Sequence, residues 1–189
     1  MQKPKIILAS ASPRRKALLE LAGYEFDVVT SDAEEAFFES AEETAKHNAY
    51  QKAQEVFERT GNSRIVLGAD TVVSIGDRIL GKPSDEEDAK RMLGLLSGNI
   101  HCVITGVAII HPQGESVFAA KTEVKFFDLT EEEILEYVAT GEPMDKAGAY
   151  GVQEKGCVLV ESLNGDVFNV IGLPVAQVDR EIRKIASNL

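Results

Sequence analysis

"KIILASASPRRKALLELAGY" (residues 5–24) carries the fold class of this chain. Lys5 to Ala9 is a short apolar run of strand character, Ser12 is placed to cap a helix, Pro13 suits the first helical position, and Gly23 suits the stop. Leu18, Leu19 and Leu21 give the helix an apolar side. A buried strand that passes directly into a helix is the building unit of α/β architecture. The same corner carries Arg14 and Arg15 in the first helical turn, where the helix dipole disfavours positive charge. An anion bound by the free backbone N–H groups and the guanidinium groups would offset that cost. Two solvated arginines on a capped surface helix are the plainer reading of the same residues.

Further along, "YEFDVVT" (24–30) reads as a second strand and "SDAEEAFFES" (31–40) as an acidic loop. Ser40 and Glu43 form a capping-box pattern that starts a helix running to about Arg59. "RIVLGADTVVSIGDRILGKP" (64–83) reads as strand, Gly-Ala-Asp turn or bulge, strand, Gly-Asp hairpin and strand. Ser84 with Glu87 is expected to cap the next helix, to about Leu96. Two long β-rich runs then meet across His111-Pro112-Gln113-Gly114, and Thr130 with Glu133 opens another capped helix. "DKAGAYGVQEKG" (145–156) has neither helical nor strand periodicity and reads as a structured loop. "CVLVESL" and "DVFNVI" are expected as strands around Asn164-Gly165-Asp166, and "LPVAQVDREIRKIASNL" as a closing amphipathic helix. With no repeat or linker-like stretch, residues 1–189 read as a single α/β domain with a mixed sheet, folded in one or two lobes.

A net charge of −11 argues against a duplex nucleic-acid binder, which needs a broad basic face. The apolar runs fall well short of the roughly 20 residues of a membrane span, and no signal-peptide pattern opens the chain, so a cytoplasmic protein is expected. Cys102 and Cys157, without CxxC spacing, read as buried reduced thiols. His47, His101 and His111 have no metal-ligand spacing and read as structural or exposed.

Candidate chemistry lies elsewhere. Asp70 ends the apolar run "RIVLGAD", after a glycine and an alanine that permit close approach of a ligand. A carboxylate there can hold Mg²⁺ or orient a water; it can equally cap a turn. Glu34 and Glu35 are an adjacent pair in the acidic loop, Lys52 lies within the second helix, and Lys82 is held between Gly81 and Pro83. Asp145 and Lys146 precede the small-residue loop, in which Gln153 offers an amide able to read a base edge. No P-loop or G-x-G-x-x-G occurs. The residues suit a metal-assisted enzyme acting on a small phosphorylated substrate.

Taken in order, "LASASPRRK", "EE" at 34–35, "GADTVV" at 68–73, "GKP" at 81–83, "LSG" at 96–98, "EPMDKAGAYGVQ" at 142–153 and "GLP" at 172–174 resemble the Maf family of nucleoside triphosphate pyrophosphatases, the septum-formation inhibitor proteins. The resemblance implies an inosine-triphosphate-pyrophosphatase-like α/β fold: a mixed, strongly twisted sheet with flanking helices, in two lobes with a central cleft. It implies hydrolysis of a nucleoside triphosphate to the monophosphate and pyrophosphate with a divalent metal cation, Mg²⁺ or Mn²⁺, and makes a homodimer plausible. Arg14, Thr71 and Gln153 resemble the subgroup acting on dTTP and UTP, with modified pyrimidine nucleotides close behind. By the same resemblance Glu35 and Asp70 hold the metal and activate water. Ser12, Arg14, Arg15, Lys52, Lys82, Asp145 and Lys146 bind substrate, Arg14 by direct contact with phosphate and Arg15 from behind it or at the surface, while Thr71 and Gln153 read the base. The rival reading is a nucleotide-binding regulatory module of septum formation with little or no hydrolysis.

Overall fold

In the computed structural model, which describes residues 3–187, the expected strand and helix open the chain as β1 (Ile6–Leu8) and α1 (Pro13–Leu21). Ser12 caps α1, its side chain accepting from the Arg15 N–H. The apolar side differs from expectation. Leu18 and Leu19 are buried but Leu21 is 72% exposed, because the chain turns at Gly23 (φ 73°) and buries Tyr24 instead.

β2 (Phe26–Val28) runs parallel to β1, and β1 runs parallel to β3 (Val66–Ile75). Between them lies α2 (Ala41–Arg59), capped by Ser40. A tight turn at Gly76-Asp77 pairs β3 antiparallel with β4 (Arg78–Leu80). α3 (Glu86–Leu96) follows, then the hairpin of β5 (Ile100–His111) and β6 (Gly114–Phe126). α4 (Glu131–Val138) begins with a complete Thr130/Glu133 capping box. Short 3-10 turns lead to β7 (Val160–Asn164), which is antiparallel to β6, and the chain ends with α5 (Val167–Ile171) and α6 (Val175–Ala186). The strands form one seven-stranded mixed sheet in the order β2-β1-β3-β5-β6-β7, with β4 beside β3.

The chain divides into two compact units. One comprises residues 1–70, 105–120 and 172–189; the other comprises 71–104 and 121–171. In the first, Ala49, Ala53, Val56 and Phe57 of α2 pack on Ile7, Val66, Ala108 and Ile110 of the strands. In the second, Leu93 and Leu96 of α3, Tyr137 and Val138 of α4, Phe126, Tyr150 and Leu159 form the core.

Several expectations are corrected. β3 runs unbroken through Gly68-Ala69-Asp70, so there is no turn there and Asp70 sits inside the strand rather than at its end. Gly68 makes room for a helix, not a ligand: a Cβ added to it would collide with the Ala49 carbonyl oxygen and come within 2.8 Å of the Ala53 nitrogen. α3 is capped by Asp85, which accepts from the Asp88 N–H at 2.8 Å, while Ser84 donates its own N–H to Asp88. "DVFNVI" is helical because Asp166 accepts the Phe168 N–H at 2.8 Å and the buried Asn169 amide donates to Val103 O and Thr122 Oγ1. The strand expected from Cys157 begins only at Val160; Cys157 lies in a 3-10 turn and is exposed, and Cys102 is half-buried, both free.

Candidate active site

Three stretches of the first unit converge on Asp70. The α1 corner supplies Ser10, Ser12, Arg14 and Arg15. Ser10 Oγ accepts from the Ser12 N–H at 3.2 Å and from Arg15 Nη1 at 3.1 Å. Arg15 Nε donates to the carbonyl of Gly172 at 2.9 Å. Arg15 is therefore pinned in place rather than solvated. Burial lowers its pKa, with the charges of Asp70 and Glu35 opposing that shift and the charge of Arg14 adding to it. Both arginines thus belong to one electrostatic neighbourhood with the two carboxylates.

The segment before α2 supplies Glu35, and α2 supplies Lys52. The Lys52 ammonium donates to Glu35 Oε1 at 2.7 Å and to Asp70 Oδ1 at 2.7 Å, so one cation bridges the two carboxylates. Glu35, not its neighbour Glu34, makes that bridge. Asp70 is 7% exposed, and its second oxygen accepts from Asn48 Nδ2 at 3.2 Å. Such a buried carboxylate needs this compensation, since desolvating an unpaired charge costs several kcal/mol.

Asn48, which donates to Asp70, was missed by sequence reasoning. Thr44, Asn48 and Lys52 recur at the four-residue spacing of one helix face, next to the alanine stripe Ala45, Ala49 and Ala53 that is buried on the sheet. A polar stripe beside an all-alanine contact was the available signal.

In the second unit, Thr71 follows Asp70 in β3 and is half-buried, while Lys82 and Gln153 are exposed. The turn bearing Lys82 is tied to the small-residue loop by the Gly148 N–H, which donates to Gly81 O at 3.0 Å. Lys146 is 7% exposed and donates to Asp145 Oδ1 and to the carbonyl of Glu142, both at 2.8 Å. Glu142, a second residue that sequence reasoning passed over, accepts from Tyr137 Oη at 2.8 Å and from the N–H groups of Lys155 and Gly156. It thereby anchors the loop that carries Gln153 on that residue's C-terminal side. Gly148 and Ala149 both take the left-handed conformation there, at φ 70° and 62°, so this loop holds a shape that an unrestrained chain avoids.

The sequence of residues 5–185 matches the family described as Maf-like protein. The chain belongs to that family. Among its relatives, proteins called dTTP/UTP pyrophosphatase from Geobacillus sp. (strain WCH70) and Bacillus cereus (strain B4264) are each 52% identical to it. The first alignment covers 96% of this chain and 98% of the relative, the second 95% of each. The solved structure of the Staphylococcus aureus Ham1 protein, 17% identical, superposes with a TM-score of 0.50 over 94% of this chain and 100% of that one. At that identity the likeness concerns the fold alone, and it agrees with the expected α/β architecture. Among the described residues of this Maf-like chain, no helix is long and apolar enough to cross a membrane.

Proposed function

We propose that this chain is a nucleoside triphosphate pyrophosphatase that hydrolyses dTTP and UTP to the monophosphate and pyrophosphate. Relatives bearing that name share half its residues over nearly its whole length. The observation that supports the chemistry is the Lys52 bridge, in which one ammonium group meets a carboxylate from the loop before α2 and another from β3.

The donor set fits a divalent cation. Mg²⁺ and Mn²⁺ take hard oxygen donors and commonly use one or two carboxylates, with phosphate oxygens and water completing the shell. Glu35 and Asp70 would supply those two, and substrate phosphate oxygens with water would complete the shell. When bound, the cation polarises the phosphoryl oxygens and lowers the pKa of the attacking water.

The protein's own groups do the rest. Arg14 and Arg15, with the Ser12-capped start of α1, neutralise phosphate charge, and Lys52 and Lys82 add theirs. Asp70 or Glu35 accepts the proton of the water as its oxygen bonds to the α-phosphorus. The bond from that phosphorus to the bridging oxygen breaks, and pyrophosphate leaves. Thr71 and Gln153 read the pyrimidine, supported by Asp145 and Lys146 within one loop. Residues 1–189 act as a single domain, and the free cysteines suit a reducing, cytoplasmic setting.

Incubation with a nucleotide panel and Mg²⁺ or Mn²⁺, followed by ion-exchange separation, tests the reading. Monophosphate and pyrophosphate from dTTP and UTP, with little turnover of purines, are expected. Diphosphate with orthophosphate would place the scissile bond elsewhere, and binding without turnover would leave a regulatory module.

A further inference from the structure

We propose that Asn48 is a positioning residue that sets the distance between the two carboxylates, an inference that rests on the pyrophosphatase reading. Asn48 is 1% exposed, on the face of α2 turned to the sheet. Its Oδ1 accepts the Ala36 N–H at 2.9 Å, and its Nδ2 donates to the Ala36 carbonyl at 3.1 Å and to Asp70 Oδ2 at 3.2 Å. Acceptor and donors are all used, and the amide has one workable orientation, because the Ala36 N–H needs an acceptor and Asp70 needs a donor.

Ala36 directly follows Glu35 in a stretch, residues 29–38, that has no regular secondary structure. Clasping both backbone groups of Ala36 therefore fixes Glu35 to within one peptide unit. The same side chain fixes Asp70 on β3 and leaves its other oxygen for Lys52. One buried amide thus connects the loop that carries one carboxylate to the strand that carries the other.

A plain loop anchor would need no contact with Asp70, and the fold contains such an anchor one turn earlier. Thr44 Oγ1 accepts the Phe38 N–H at 3.0 Å and is fully buried, with no bond to either carboxylate among the contacts described. Thr44→Ala is therefore the control for loop tethering.

For Asn48→Ala, kcat for dTTP should fall roughly ten- to a hundred-fold with KM nearly unchanged, and Mn²⁺ affinity, followed by electron paramagnetic resonance without nucleotide, should weaken by a similar factor. Thr44→Ala should lower the thermal midpoint yet leave kcat and Mn²⁺ affinity as in wild type. Should Asn48→Ala not fold, Asn48→Ser, which can replace one of the three hydrogen bonds, is read the same way. Wild-type kcat and Mn²⁺ affinity in the Asn48 variant, or equal losses in the Thr44 variant, would overturn the proposal. A wild-type protein that binds Mn²⁺ but hydrolyses neither dTTP nor UTP sinks the function while the Mn²⁺ titration still decides Asn48. One that does neither overturns both.

Discussion

Asp70 is the residue on which both the packing and the proposed chemistry turn. It accepts from Asn48 and Lys52 and is almost fully enclosed, so Asn at this position keeps the shape and can still accept from one of the two donors, while losing the charge. Asp70→Asn should retain the wild-type circular dichroism spectrum and lose turnover by about 10²- to 10⁴-fold, the range for a positioned acid–base group. Near-native turnover in that variant would remove Asp70 from the chemistry. Gln153 is the opposite case. It is exposed on a loop whose shape is held by Glu142, so Gln153→Ala should leave stability within about 0.5 kcal/mol, as surface substitutions do. Its effect should appear as a change in the ratio of kcat/KM between pyrimidine and purine triphosphates, and an unaltered ratio would withdraw the base-reading role.

α2 and β3 are the elements that bring the site together, and their contact depends on a missing side chain. Gly68 and Gly106 lie under α2 where Ala45, Ala49 and Ala53 face the sheet, so helix backbone rests almost directly on strand backbone. Gly68→Ala forces the helix outward and moves Lys52 and Asn48 with it. Stability should fall by about 1–3 kcal/mol, as for other overpacked cores, and kcat should fall in parallel. Gly94→Ala, in α3 with open space around the new methyl group, should instead gain about 0.5–1 kcal/mol with kcat unchanged. Urea denaturation midpoints and kcat for both variants check the pair, and a neutral Gly68→Ala would contradict the close approach. This contact also marks the limit of what the sequence discloses. Caps at Ser12, Ser40 and Thr130 act locally and were legible, as was the amphipathic α6. Gly68 suggested a turn because its requirement comes from a helix some twenty residues away in sequence. "DVFNVI" is rich in the β-branched and aromatic residues of a strand, and it is tertiary hydrogen bonds from Asn169 to Val103 and Thr122 that favour the helix. Asn48 escaped notice for the same reason, since nothing near it in sequence announces Ala36 or Asp70 as its partners.

Over the whole molecule, the response to acid should be divided between the two units. In the second, His101 is 1% exposed beside Phe126 and Tyr150, with Nε2 at 2.7 Å from Tyr150 Oη and Nδ1 lacking a partner, and burial lowers its pKa from 6.5 to about 4. The unfolded chain therefore binds this proton more readily than the folded one. Its contribution is fully present above pH 6.5 and is lost as pH falls towards 4, at up to about 1.4 kcal/mol per pH unit and roughly 3 kcal/mol in all. In the first unit, burial tends to raise the pKa of Asp179, but hydrogen bonds from Lys3, Arg183 and Tyr24 outweigh it and bring the value from 3.8 down to about 2. That contribution holds above pH 3.8 and is lost between there and about 2. Because the windows scarcely overlap, hydrogen exchange corrected for intrinsic rates should find amides around β5 residues 100–104 and Tyr150 losing protection between pH 6.5 and 4, while those of α6 near Asp179 hold until lower pH. His101→Gln should flatten the first transition and leave the second in place. Simultaneous loss of protection in both units at one pH, or an unaltered profile in the variant, would show that His101 does not govern the upper window.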